Sequence, residues 1–209
     1  MRKEEWDLAL KERHGEHLSA VFSGATVAVC GLGGLGSNIS ISLARAGIGR
    51  LILIDFDRVN ITNLNRQQYK ANQIGRYKTE ALRENLLEIA PFLSVQTHTV
   101  RMTQENSADL LKDADVICEA FDDPQAKAML VDTVSEHLPE HFLVAASGMA
   151  GMQSGNLVRT RRMGKKMYLC GDCVSDVAQG AGLFAPRVML CAAQQALTVL
   201  RILAGQYEV

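Results

Sequence analysis

The residues of this 209-residue chain best suited to chemistry begin with Gly31-Leu-Gly-Gly-Leu-Gly36, which fits Gly-x-Gly-x-x-Gly through Gly31, Gly33 and Gly36. The run directly follows the apolar stretch Thr26-Val-Ala-Val-Cys30. Glycines at such a turn let the backbone approach a phosphate chain, and a helix starting there offers free N–H groups and the positive end of its dipole. Asp55 closes a second apolar stretch, Arg50-Leu-Ile-Leu-Ile54, where a carboxylate can accept bonds from ribose hydroxyls. Together these argue for a nucleotide without saying which.

The next segment narrows the choice. Asn63, Arg66, Gln67, Arg76 and Lys78 suit a triphosphate, because a guanidinium fork and an ammonium neutralise the charge that builds on departing pyrophosphate. An NAD-dependent oxidoreductase would explain Gly31 to Asp55 but leaves Arg66 and Lys78 idle; a solvated polar loop is the bland alternative. Further on, Glu119-Ala-Phe-Asp122-Asp123 places carboxylates at the carboxyl end of an expected strand, where ligands bind in open α/β sheets. One of these carboxylates could hold magnesium through oxygen ligands, and Asp123 suits the N-cap of a helix starting at Pro124.

Positioning these residues requires alternating elements. Apolar runs predict strands at 26–30, 50–55, 94–99, 115–118 and 141–146. Helical spacing predicts an amphipathic N-terminal helix over 4–22 and further helices from the glycine turn to Ala46, from Tyr77 to Ala90, at 105–112 and 124–137, and from Pro186 to about Ala204. The expected fold is α/β: one domain over 1–209, with a Rossmann-like, mostly parallel sheet and helices on both faces. Residues 151–160 are expected to form antiparallel strands at one edge, and 161–181 a mobile loop. The last helix is apolar on most faces, which suits the core or a subunit interface.

Composition excludes several classes. With 22 Lys+Arg against 23 Asp+Glu and a formal charge of -1, no broad basic face for DNA is expected. No apolar run approaches the roughly 20 residues that cross a bilayer, and the charged N-terminus lacks a signal-peptide core, so no membrane partner and a cytoplasmic location are expected. Five cysteines make no disulfide framework. Cys30, Cys118 and Cys191 read as buried packing, whereas Cys170 and Cys173 stand apart.

In their order and spacing, Gly31 to Gly36, Asp55-Phe-Asp57, Asn63-Leu-Asn-Arg66-Gln67, Lys78 and Asp122 resemble the ThiF/MoeB/HesA group of ubiquitin-activating-like adenylyltransferases over nearly the whole chain. The short length and the stretches 63–70, 145–149 and 168–172 are most similar to the small ThiF proteins of thiamine biosynthesis. The resemblance implies that ATP with magnesium and the C-terminal Gly-Gly carboxylate of a small β-grasp sulfur carrier, ThiS-like, give an acyl-adenylate and pyrophosphate. It assigns Gly31, Gly33, Gly34, Asp57, Asn63 and Gln67 to the nucleotide site and Asp55 to the ribose. Arg66 and Lys78 fall to the phosphates and Asp122 to magnesium, and these three would be catalytic. It also implies a homodimer. Within the superfamily the alternatives are activation of a molybdopterin-type carrier and a tRNA-modifying dehydratase; outside the adenylating enzymes, a catalytically silent carrier-binding module.

Departures from the family pattern bear on other residues. Larger members hold zinc with two Cys-x-x-Cys pairs, whereas Cys170-Gly-Asp-Cys173 is the single pair here; His137 and His141 could complete four ligands but have Pro139 between them, so zinc is not expected. Arg13 is a candidate for the arginine that many members supply to a partner subunit's ATP, although its spacing to the glycine turn fits poorly. Some relatives link the carrier to a cysteine beyond the sheet. Cys170, near Lys165 and Lys166, is the candidate covalent nucleophile, with Cys173 second. Arg161, Arg162, Lys165 and Lys166 could guide an acidic carrier or form a solvated charge run.

Overall fold

The computed structural model describes residues 1–209, the side chain of Gln179 excepted. The apolar runs become β1 (Thr26–Cys30), β2 (Arg50–Ile54), β3 (Ser94–His98), β4 (Val116–Glu119) and β5 (Phe142–Ala146), joined by β6 (Arg159–Arg162) and β7 (Met167–Gly171). They form one sheet in the order β3-β2-β1-β4-β5-β7-β6. All neighbours are parallel except the β6–β7 pair. The helices are α1 (Lys3–His14), α2 (Glu16–Gly24), α3 (Gly34–Arg45), α4 (Lys78–Ile89), α5 (Gln104–Leu111), α6 (Pro124–His137) and α7 (Ala185–Leu203).

The strand order reverses between β1 and β4, which opens a crevice at their carboxyl ends. Cys30 is level with Ile54 on one side and with Glu119 on the other. Gly31, Asp55 and the turn after Glu119 therefore leave the sheet at the same height. This register is what brings the motifs together.

Alternate residues of the central strands feed two cores. Val27, Val29, Leu51, Leu53 and Cys118 pack with Ile39 and Leu43 of α3, Leu82 and Leu86 of α4, and Val188, Cys191 and Val199 of α7. Ala28, Cys30, Ile52 and Ile117 pack with Leu111 of α5 and Leu130 and Val134 of α6. Each fully buried Leu, Ile or Val contributes about 1.5–3 kcal/mol, so strands clad on both faces read as nearly unbroken apolar runs. Asp123 caps α6 by accepting from Gln125 and Ala126 N–H at 3.3 and 3.1 Å, with Pro124 in the first turn. These two residues fix the helix at the expected 124–137.

Three expectations are corrected. The N-terminal helix is broken into α1 and α2 by Gly15, whose φ of 82° lies in the left-handed region. The edge strands do not fill 151–160: Gly155–Leu157 is a single 3-10 turn, and β6 begins only at Arg159. The first part of the expected 161–181 loop is instead the β6–β7 hairpin. β6 is an edge strand whose Arg159 and Arg162 are exposed, so it needs no apolar alternation and looks like a loop in the sequence. Along α7, Met189, Leu190 and Leu197 remain 47%, 37% and 57% exposed. Among the described residues, no helix is long and apolar enough to cross a membrane.

Candidate active site

A cavity of about 770 Å3 opens at the carboxyl ends of the strands, within the roughly 300–1,000 Å3 range of small-molecule sites. Its first wall is the glycine turn. Gly31 has a φ of +90°, and a β-carbon on it would lie 2.8 Å from the Ala120 carbonyl; one on Gly36 would lie 1.8 Å from the Gly31 carbonyl. These two glycines let the turn close against β4 and α3. Gly33, by contrast, would meet only Gln67 Nε2, at 3.7 Å. It is the N-cap of α3 and leaves the unpaired N–H groups of that helix start beside the cavity.

The segment after β2 backs this turn. Tyr69 donates to the Leu32 carbonyl at 2.7 Å, and the Asn38 amide bridges the Gly34 and Arg66 carbonyls. Arg66 thus lies against the start of α3, its Nη1 donating to Thr62 O and Asn65 Oδ1, with no carboxylate partner among the described residues. Asn63 spends its side-chain oxygen on Asn60 N–H at 2.9 Å, so its first task is to shape the 3-10 turn Ile61–Asn63. Gln67 is 8% exposed and lines the cavity, and its Oε1 has no hydrogen-bond partner. A buried acceptor left unsatisfied costs roughly 1–3 kcal/mol, and a bound ligand can supply the missing donor.

Asp55 and Lys78 form the next wall. Asp55 accepts from Leu32 N–H and Asp57 N–H, both at 2.7 Å. Burial pushes its carboxyl up, with Lys78 and the two N–H groups pulling only part of the way back. The Lys78 ammonium is 2.7 Å from Asp57 and 3.8 Å from Asp55. Its position is set by the first residue of α4, whose N–H donates to the Asp57 carbonyl at 2.9 Å. Asp122 also lines the cavity, exposed and without a side-chain hydrogen bond or ion pair among the described residues. Of the residues expected at the phosphates, Arg76 is elsewhere, paired with Glu84. Arg13 lies in the last turn of α1 and is not among the cavity-lining residues.

The far half of the cavity is lined by Ser147 to Ala150 after β5 and by Cys173 to Val177 after β7. A buried arginine ties these segments together. Arg187 donates to Ala150 O at 3.1 Å, to Gln153 O, to Ser154 O at 3.0 Å and to Asp172 at 2.5 Å. Burial pushes the Asp172 carboxyl up, but N–H donation from Ser175 and Val174 and the contacts with the Ser175 side chain and Arg187 outweigh it and bring it down to about 2.

The expectation for Cys170 is corrected. It lies in β7, fully buried, with Thr160 and Thr198 hydroxyls 3.5 and 3.9 Å from its sulfur. Burial raises its thiol pKa, Lys166 is occupied by Glu140, and its sulfur is closed off from the cavity. The exposed cysteine on the cavity is Cys173, held at a φ of 61°, with Arg161 3.4 Å from its sulfur. Sequence reading missed three further cavity-lining cations. Arg58 covers the Tyr77 ring, Arg101 covers the Phe56 ring, and Lys127 stands in α6. For Arg101 a signal existed, since it follows β3 closely and so sits at the ligand-binding end of the sheet.

The cavity thus presents an unpaired helix start, cations at Arg66 and Lys78, a buried carboxylate at Asp55 and a free carboxylate at Asp122, a set chemically suited to a phosphate-bearing ligand. No cluster of three or more His, Cys, Asp or Glu suited to a metal occurs among the described residues. Magnesium suits the site all the same, because it is commonly held by one or two carboxylates together with substrate phosphates.

A family model described as the ThiF family matches residues 8–209. Among curated proteins, the chain is 44% identical over 85 residues to ubiquitin-like modifier-activating enzyme 5 of Caenorhabditis briggsae, covering 41% of this chain and 20% of that one. It is 32% identical over 191 residues to the adenylyltransferase and sulfurtransferase UBA4 of Kluyveromyces lactis, covering 88% of this chain and 42% of that one. The chain thus spans less than half the length of these curated relatives. Among solved structures, E. coli tRNA N6-threonylcarbamoyladenosine dehydratase in complex with ATP superposes with a TM-score of 0.86 at 22% identity, covering 95% of this chain and 93% of that one. That likeness bears on the fold.

Proposed function

This chain belongs to the ThiF family, and on that premise we propose that it adenylates the C-terminal Gly-Gly carboxylate of a small β-grasp sulfur carrier, ThiS-like, for thiamine thiazole synthesis. The observation that carries the reading is one cavity with two furnished halves. A phosphate-type turn with Lys78, Arg66 and the uncommitted Asp122 lies on one side, and the 147–150 and 173–177 segments leave room for an extended peptide terminus on the other. The similarity to UBA4 adenylyltransferase and sulfurtransferase supports the reaction class, and the stretches 63–70, 145–149 and 168–172 support the thiamine branch.

In the reaction a carrier carboxylate oxygen attacks the α-phosphorus of ATP, the bond to the bridging oxygen breaks, and pyrophosphate leaves. Asp55 orients the ribose. Gly31, Gly33, Gly34 and Gln67 bring backbone and amide groups to the phosphates, and Arg66 and Lys78 neutralise charge on the leaving group. Asp57 keeps the Lys78 ammonium over the site, and Asn63 holds the turn that presents Arg66. Asp122 would hold magnesium, which would supply further charge neutralisation at the phosphates. Positioning and electrostatics suffice, so no enzyme thiol takes part. The exposed apolar stripe Met189, Leu190 and Leu197 on α7 supports a homodimer, and the proposed location is the cytoplasm.

The test is ATP–pyrophosphate exchange with a thiamine-type carrier, a molybdopterin-type carrier and neither, with Asp122→Ala as control. Exchange with the thiamine-type carrier alone, lost in the variant, is expected. Exchange with the other carrier would transfer the protein to that pathway. No exchange with either, together with tRNA-stimulated ATP hydrolysis, would make it a dehydratase.

A further inference from the structure

Glu119 ends β4 and is 1% exposed, a buried carboxylate with no part in the chemistry above. Its Oε1 accepts from Phe121 N–H at 2.7 Å, and Lys127 Nζ lies 2.9 Å from both of its oxygens. Its main-chain carbonyl accepts from the Gln195 amide of α7 at 2.9 Å. Lys127 stands one turn into α6 and lines the cavity, and its ammonium also donates to the Ala146 carbonyl at 3.1 Å. Ala146 ends β5 and leads into the 147–150 wall.

The ammonium therefore braces both halves of the cavity, alongside Glu119 itself, whose Oε2 accepts from Ala146 N–H at 3.4 Å. Through Glu119 it fixes the turn 120–123, and directly it fixes the start of 147–150. Asp122 makes no side-chain bond among the described residues, so its place depends on the conformation of that turn. The turn also abuts the glycine loop through the Ala120 carbonyl, which is why Gly31 has no room for a β-carbon.

We propose that Lys127 is a positioning residue: by clamping Glu119 and the Ala146 carbonyl, it sets the Asp122 carboxylate for the metal and keeps it in register with the 147–150 wall. This rests on the reading of Asp122 as the magnesium ligand. Groups that orient a ligand from outside the metal shell change metal affinity by roughly 10–100-fold when removed. A purely structural pair would change stability and leave metal affinity where it was.

The experiment is calorimetric titration of the whole chain with ATP in the absence of magnesium, followed by magnesium titration of the ATP complex. It is run on wild type, Lys127→Met, Lys127→Arg and the uncharged combination Glu119→Gln with Lys127→Met. The combination keeps an acceptor for Phe121 N–H and leaves no lone buried charge, so it serves if Lys127→Met does not fold. The expected result is a rise of roughly tenfold or more in the magnesium half-saturation of Lys127→Met, metal-free ATP affinity within about twofold of wild type, and recovery in Lys127→Arg. A magnesium half-saturation within about twofold of wild type in folded Lys127→Met, or in the combination in its place, overturns the proposal. If wild type binds ATP no better with magnesium than without, the Asp122 reading itself fails and takes the proposal with it; the wild-type titration tells these two failures apart.

Discussion

Lys78 and Arg187 are both buried cations facing aspartates, yet their bonding differs. Arg187 uses Nε and both terminal nitrogens on fixed partners, and both oxygens of Asp172 are occupied in turn. Lys78 has one close partner, Asp57, which is itself half-exposed, and one looser partner in Asp55. The first pair has four of the five guanidinium N–H donors committed and closes the wall behind the cavity. The second has donors to spare and faces the cavity. Burial of a charge alone does not mark a functional group; unspent bonding capacity beside an open volume does.

The largest expected effect tests the Arg187–Asp172 pair. Arg187→Met leaves Asp172 and three carbonyls without their donor, and breaking a buried pair costs about 3–5 kcal/mol. In a chain of this size that lowers the melting temperature by roughly 10 °C, which scanning calorimetry reads directly. Lys78→Met should do the reverse: carrier-dependent exchange falls by roughly 10²–10³, while its melting temperature moves less than that of Arg187→Met. Equal thermal losses in the two variants would erase the distinction.

Acid titration sharpens the contrast, because the two aspartates shift in opposite directions. Asp172 falls from 3.8 to about 2 on folding, so its stabilisation is complete above about pH 4 and is lost as pH falls through about 2. Asp55 is raised from 3.8; its contribution is present below that value and is lost as pH rises through the folded value. Urea midpoints measured from pH 2 to 7 should show the stability gap between wild type and Asp172→Asn narrowing toward pH 2. Asp55→Asn should gain on wild type as pH rises. The smallest effect concerns the cysteines flanking Asp172. One thiol per chain, Cys173, should react quickly with a water-soluble disulfide reagent. Cysteine 170 should join it only on unfolding, and Cys173→Ser should abolish the fast phase.

Much of the glycine-turn half of the cavity was legible because its signals are local: a glycine turn after an apolar run, a carboxylate ending the next run, and a proline-started helix at 124–137. The other half was not, since its determinants join residues distant in sequence. Arg187 meets Asp172 only once α7 packs back on the strands, and Lys127 reaches the Ala146 carbonyl only because β5 runs beside β4. A trace existed, because Arg187 is the single charge from Ala185 to Leu200, and a lone charge on a helix apolar on most faces calls for a partner. Cys170 was misplaced for a related reason. Arg159 to Arg162 carry none of the apolar alternation by which strands are recognised, so the hairpin that buries Cys170 looked like solvated chain.

The same arginine-rich strand bears on how the protein behaves at high concentration. β6 ends the sheet with a row of backbone groups that no strand pairs, the kind of edge along which identical molecules fuse into continuous sheets. Arg159 and Arg161, with Lys165 in the adjoining turn, give every approaching copy the same charge at that edge, while Arg162 is paired with Glu208. Repulsion there opposes edge-to-edge aggregation of the folded protein.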